Sequence, residues 1–314
     1  MTDDRLIIDA PAKINLYLNI TGKRDDGYHL LDSVVVFAAL ADRLTISLAD
    51  ADHVIITGPV GNPLSEGDGA EKTTIHRARD AFRNATGWTA PLCIEVKKSI
   101  PIAAGLGGGS ADAAATLRAM AHLSNTPVEE DTLMELGLGI GADVPALLMS
   151  WRSEIIRMEG IGENLTPIPW NARLGNHPGI LLANPGVAVS TQEVFSAYGK
   201  SKQRFSQSTP LSEIEQKDLG ALILMGNDLT KPASVITPAI SDLLSLLNTL
   251  SIDFGGYGAA MSGSGGTCFA LFPTPAKASE AEAAFTGATQ TLDYWSWSGA
   301  MAFSTRDFRV EQKA

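Results

Sequence analysis

The segment from Leu92 to Leu123 constrains the chain more than any other. An alternating stretch, with Leu92, Ile94 and Val96 on one face, reads as a strand. It leads into Pro101-Ile102-Ala103-Ala104-Gly105-Leu106-Gly107-Gly108-Gly109-Ser110-Ala111-Asp112, and the loop 105–109 feeds an alanine-rich helix expected from about Ser110 to Leu123. Glycines carry no Cβ, so a ligand can approach the backbone amides closely. The first-turn N–H groups of the following helix lack intrahelical partners, and the helix dipole favours an anion at that end. Loop and helix start together form a phosphate cradle. The common nucleotide loops do not match. No Lys follows the glycines as GxxxxGK[ST] requires, and Ser110 stands where GxGxxG needs its third glycine. Gly199-Lys200-Ser201 has Val194 in place of the required Gly. The competing reading, an unliganded turn, is disfavoured because so many glycines cost entropy without a structural return.

Three further segments carry polar chemistry. Met261-Ser262-Gly263-Ser264-Gly265-Gly266-Thr267 precedes the strand pattern Cys268–Phe272. Two separated glycine loops with free amides suggest a ligand between domains, and alone this one is equally a tight turn. In Pro11-Ala12-Lys13-Ile14-Asn15-Leu16, Lys13 and Asn15 share a strand face. On the residues alone that face reads as solvated. Asp143, in Gly141-Ala142-Asp143-Val144-Pro145, stands where a helix should start. It reads either as an N-cap or as a carboxylate that orients a hydroxyl or holds a metal. The five histidines form no HExxH and no ligand-spaced cluster, and no Ser sits in a GxSxG elbow.

With 314 residues the chain is expected to hold two domains. Its first sixty residues read as strands, with Leu16, Leu18 and Ile20 alternating with Tyr17 and Asn19. Helices are expected over 73–85, after Pro127 and from Asp143. Gly, Pro and Asn concentrate over 160–178, which places a boundary between domains 1–172 and 173–314. The second half reads as strand 179–183, helices 191–198, 218–225 and 237–250, strand 267–272, helix 276–285 and a strand near 294–303, with an exposed loop at 200–210. The fold class is α+β or mixed α/β. A net charge of −11 argues against nucleic-acid binding but not against a small anionic ligand. The longest apolar run, Val34 to Ala41, is far below the ~20 residues of a membrane span. No charged-then-apolar segment opens the chain, and two isolated cysteines allow no disulfide framework. A cytoplasmic protein without membrane partners is expected, monomeric or a weak homodimer.

Taken in order, the four segments resemble the GHMP kinase superfamily. Its Pro-x-x-x-Gly-Leu-Gly-x-x-Ser-Ala loop is matched by 101–111 and its C-terminal glycine motif by 261–267. Gly27-Tyr28-His29-Leu30-Leu31-Asp32-Ser33, Gly160-Ile161-Gly162-Glu163 and Pro185-Gly186-Val187-Ala188-Val189-Ser190-Thr191 resemble the branch whose substrate is a cytidine-diphosphate sugar alcohol. The resemblance implies a two-domain α+β fold, with a ribosomal-protein-like N-terminal domain and a ferredoxin-like C-terminal one. It implies phosphoryl transfer from ATP, with Mg2+, to a tertiary hydroxyl. By the same resemblance Lys13 and Asp143 are catalytic, and Pro101, Ile102, Ala103, Ala104, Gly105, Leu106, Gly107, Gly108, Gly109, Ser110 and Ala111 hold ATP. Asn15, Tyr28, His29, Thr191 and Phe195 meet the substrate, and Ser110 is the candidate for placing the magnesium. The alternatives are another small-molecule kinase of the superfamily, of homoserine or mevalonate type, and a non-catalytic binding homologue. The segment 149–154 departs from the family pattern, and the tail from Asp293, with Trp295 and Trp297, carries no motif.

Overall fold

A computed structural model describes residues 4–59, 64–65, 73–124, 127–201, 203–301 and 309–312. Two long strands, β1 (Asp4–Lys23) and β2 (His29–Leu48), pair antiparallel along almost their full length. With β3 (His53–Thr57), β4 (Leu64–Ser65) and β5 (Leu92–Lys97) they build the first sheet. The strands β6 (Ile155–Gly160) and β7 (Asn164–Pro167) extend it from β2. On one face lie α1 (Thr74–Thr86), α2 (Gly108–Leu123), α3 (Glu130–Ile140) and α4 (Val144–Met149). A second, antiparallel sheet has the order β11-β8-β10-β9: β8 (Gly179–Asn184), β9 (Gly258–Met261), β10 (Cys268–Phe272) and β11 (Trp295–Ala300). Around it stand α5 (Thr191–Lys200), α6 (Leu211–Ile214), α7 (Leu219–Leu224), α8 (Thr230–Ile236), α9 (Ala239–Asp253) and α10 (Pro275–Ala288). The strand β12 (Arg309–Gln312) returns to the first sheet and pairs with β1. The expected second domain, 173–314, therefore includes a strand that belongs by pairing to the first sheet.

Alternation along β8 explains the layering. Ile180 and Leu182 face the first sheet, in one core with Ile14, Leu16, Val34 and Val36. Leu181 and Ala183 face the other way, in a core with Leu243 and Leu247 of α9 and Phe285 of α10. Helices, sheet, sheet and helices stack in that order, each layer burying the apolar faces of its neighbours. The α+β class holds: among the described residues every strand pairing is antiparallel except β3 with β5.

Several sequence expectations need correcting. The alternation Leu16, Leu18, Ile20 does not describe one face. The register shifts between Asn15 and Tyr17, so Leu16 and Tyr17 both enter the inter-sheet core while Leu18 and Ile20 join the core beneath α9. A bulge of this kind re-aims the side chains on either side of it. The alanine-rich helix starts at Gly108, two residues before Ser110, because Gly107 takes the left-handed N-cap position. The short helices α6 and α8 were not anticipated from sequence, and both are too short to show a period. The expected strand near 294–303 runs from Trp295 to Ala300, and its end at 303 lies outside the described residues. Helix α1 agrees with expectation, ending at Gly87 in the left-handed conformation.

The features the sequence left unexplained have structural roles. Of the 200–210 stretch, residues 203–210 are largely exposed yet fastened: Ser206 N donates to Ile20 O at 2.8 Å, and Thr209 N to Asp32 Oδ2 at 2.8 Å. Trp295 and Trp297 cover the inter-sheet core, while Ser296 and Ser298 donate to Glu282 of α10. In the 149–154 segment Met149 and Trp151 pack against the helical core, with Arg118 stacked 5.7 Å over the Trp151 ring. Cys93 and Cys268 are free and lie on different sheets. Among the described residues no helix is long and apolar enough to cross a membrane.

Asp32 is the polar knot of the first sheet. It accepts from Tyr17 Oη at 2.9 Å, from Arg157 Nε at 3.0 Å and Nη2 at 3.2 Å, and from Thr209 N. Burial and the carboxylate together push the Tyr17 hydroxyl far up, so it remains a donor. Removing one partner of a buried pair leaves the other charge uncompensated. Asp32→Ala should therefore lose about 3 kcal/mol or more in urea unfolding, and a loss under about 1 kcal/mol would contradict this account.

Candidate active site

The two sheets and the loops at their edge enclose a cavity of about 840 Å3. Every residue put forward from sequence lines it except Ala111, which is buried inside α2. Lys13 and Asn15 are 4% and 3% exposed, so the solvated-face reading of that strand is wrong. Lys13 Nζ donates to Asp143 Oδ1 at 2.7 Å. Asp143 stands at the N-cap of α4, but its side chain makes no capping bond. The residue is placed for the cavity and not for the helix end.

The glycine loop approaches this pair from above. Lys13 N donates to Leu106 O at 2.9 Å, which ties the loop to β1. Gly107 has φ +68, and a Cβ there would sit 3.5 Å from Lys13 Cβ and 3.7 Å from Asp143 Oδ2. A side chain at 107 would thus both strain the backbone and fill the space between loop and carboxylate. The amides of Gly108, Gly109 and Ser110 open α2 and have no helical partner. Ala103 has φ +54, the one non-glycine in the left-handed region among the described residues. Held strain of this type clusters at ligand sites.

The second glycine cluster braces the first. Thr267 N donates to Ala104 O at 3.1 Å, and Ser262 Oγ accepts from Asn15 N at 3.2 Å. A Cβ on Gly105 would fall 2.5 Å from Gly265 O, so the two loops touch backbone to backbone. Gly263 and Ser264 still reach the cavity, and Ser264 Oγ lies 2.8 Å from Thr191 Oγ1.

At the other end are aromatic rings. His29 stacks on Phe195 with centroids 5.2 Å apart at 30°, and meets Tyr198 edge-on at 5.7 Å. Tyr28 is 62% exposed at the rim, so it is no core aromatic. Asn15 lines the cavity; its Nδ2 donates to Ser33 Oγ at 2.8 Å, while its Oδ1 is buried without a partner. An unpaired buried acceptor is costly, so it is suited to a donor on a ligand. Sequence reasoning missed Lys98, Asp112, Ser33 and Tyr198. A carboxylate set among the alanines Ala111 and Ala113–Ala115 of α2 was the available signal for Asp112.

The site is that of a small-molecule kinase, and comparison with known proteins agrees. Residues 73–150 match the GHMP kinases N terminal domain and residues 211–289 the GHMP kinases C terminal domain. A crystal structure of 4-(cytidine 5'-diphospho)-2C-methyl-D-erythritol kinase superposes with a TM-score of 0.73 at 29% identity, covering 95% of this chain and 99% of that one. A homoserine kinase from Cytophaga hutchinsonii, at 17% identity and a TM-score of 0.65 over 99% and 98% of the two chains, shares the fold. The 4-diphosphocytidyl-2-C-methyl-D-erythritol kinase of Rhizobium johnstonii is 42% identical over 278 residues, 88% of this chain and 87% of that protein. That of Chelativorans sp. is 40% identical over 274 residues, 87% and 88% of the two. The chain belongs to the 4-diphosphocytidyl-2-C-methyl-D-erythritol kinase family of GHMP kinases.

Burial, with the nearby Lys23 charge, lowers the His29 pKa below its ordinary 6.5. The folded protein then takes up this proton less readily than the unfolded chain, so the group costs no stability above pH 6.5 and some as pH falls below it. Titration of the His29 ring by NMR should give a midpoint below 6.5, and one above it would contradict the burial argument.

Proposed function

We infer that this chain is a kinase that transfers the γ-phosphoryl group of ATP to the 2-hydroxyl of 4-diphosphocytidyl-2-C-methyl-D-erythritol, a step of the non-mevalonate route to isoprenoid precursors. The observation that carries the reading is the Lys13–Asp143 pair facing the glycine loop in one cavity that also holds aromatic rings. Phosphoryl transfer needs little beyond positioning and charge stabilisation, which these groups can supply.

In this reading, the amides of the loop 101–111 and of the first turn of α2 hold the nucleotide phosphates. Asp143 accepts the proton of the acceptor hydroxyl as the oxygen attacks. Lys13 orients Asp143 and offsets charge on the moving phosphoryl group. Asn15 Oδ1 accepts a hydrogen bond from the acceptor substrate. Tyr28, His29 and Phe195 recognise the cytosine by stacking and by hydrogen bonds to its edge, with Thr191 beside them. Neutral His29 presents one donor and one acceptor nitrogen to such an edge.

Magnesium fits as a companion of the nucleotide. Among the described residues no group of three His, Cys, Asp or Glu could hold a metal ion. Mg2+ commonly binds through substrate phosphates and few protein oxygens, and Ser110 Oγ and Asp143 are the cavity oxygens suited to it. Bound there, it would neutralise phosphate charge. The reading as a homoserine or mevalonate kinase has no use for the aromatic end of the cavity.

Asp143→Asn should lower kcat by about 100-fold or more while ATP and acceptor still bind, the scale of a lost general base. A near-normal kcat would remove Asp143 from that role. Tyr28→Ala should raise KM for the cytidyl substrate more than for ATP, and equal effects would take Tyr28 out of the cytosine site.

A further inference from the structure

Beneath the glycine loop, the cavity wall carries a charged cluster that none of these steps uses. Lys98 follows β5 and places its ammonium between two carboxylates, in short contact with Asp42 of β2 and 2.7 Å from Asp112 of α2. All three residues are buried, and Lys98 and Asp112 line the cavity. Asp42 Oδ1 also accepts from Ser99 N at 2.6 Å and Ile100 N at 2.9 Å. Lys98 N is itself fixed to Thr57 O at 2.7 Å.

The sequence positions give this cluster its meaning. Ser99 and Ile100 immediately precede Pro101, where the loop begins. Asp112 lies in the second turn of α2, just beyond its end. One ammonium therefore fastens both ends of the loop to the same carboxylate on β2. As a stabilising device this is a poor choice, because buried charges carry a desolvation penalty that apolar residues avoid. Asp112 Oδ1 is moreover left without a partner, and burial pushes that carboxyl well up from its ordinary range.

We propose that Lys98, Asp42 and Asp112 are positioning residues for the nucleotide: they fix the separation and angle between Pro101 and the start of α2, so that the loop amides converge on the phosphates. The proposal rests on the reading of the loop as the ATP site. It assigns the cluster to ATP and not to the acceptor, whose proposed contacts Asn15, His29 and Phe195 come from β1, β2 and α5.

Calorimetric titration of the full chain with ATP and magnesium tests it, beside KM for the cytidyl acceptor and thermal unfolding. Asp112→Ala cuts the tie to α2 and leaves the Lys98–Asp42 pair balanced. It should weaken ATP binding about tenfold, the scale of a lost hydrogen bond to a charged group, with the acceptor KM within about twofold of wild type. Asp112→Asn keeps an acceptor for Lys98 and should stay within about threefold of wild type for ATP. Should Asp112→Ala fail to fold, Lys98→Met is read in the same way. ATP affinity unchanged in Asp112→Ala, or a parallel loss for both substrates, overturns the proposal. Absence of ATP binding by the wild-type protein would instead overturn the reading of the loop, and the proposal with it.

Discussion

The ion pair between Lys13 and Asp143 joins residues 130 positions apart in the chain, and much of the structure is arranged to bring them together. Lys13 rides on β1, whose pairing with β2 forms the spine of the first sheet. Asp143 is delivered by the tight connection from α3 to α4, in which Val144 N donates to Gly141 O. Beside them lies Gly107, whose φ of +68 is a conformation that favours glycine. An ammonium and a carboxylate so placed need the sheet behind them to be rigid. The inter-sheet core provides that rigidity by packing Ile14 and Leu16, on either side of Asn15, against Ile180 and Leu182 of the second sheet.

The second sheet contributes more than a wall. Its strands β9 and β10 are joined by the glycine turn 262–266, and that turn supports the first glycine loop through Thr267 and Ser262. The stacking rings come from both halves, His29 from β2 and Phe195 from α5. The cavity thus exists only where the halves meet, which accounts for the dispersal of its residues along the sequence.

Much of this was legible in the sequence because local chemistry and tertiary use coincide there. The glycine loop, the period-two strand before it and the alanine-rich helix after it follow from short-range rules. The family resemblance then supplied what spacing could not, namely that Lys13 and Asp143 face each other. Taken alone, Lys13 and Asn15 read as a solvated face, since sequence alternation does not reveal which faces meet a partner. The bulge at Asn15–Tyr17 was hidden for a related reason: a register shift depends on the neighbouring strand. The cluster at Lys98 was hidden because Asp42 comes to it from 56 positions away, and no local pattern pairs Lys98 with the carboxylate of Asp112.

The central claim is that one cavity combines phosphoryl transfer with recognition of a cytidyl acceptor. A coupled ADP-release assay with ATP and magnesium tests it directly, comparing 4-diphosphocytidyl-2-C-methyl-D-erythritol with homoserine and mevalonate. The account requires turnover with the cytidyl compound alone. Turnover with homoserine or mevalonate, or none with any acceptor in a folded protein that binds ATP, would contradict it.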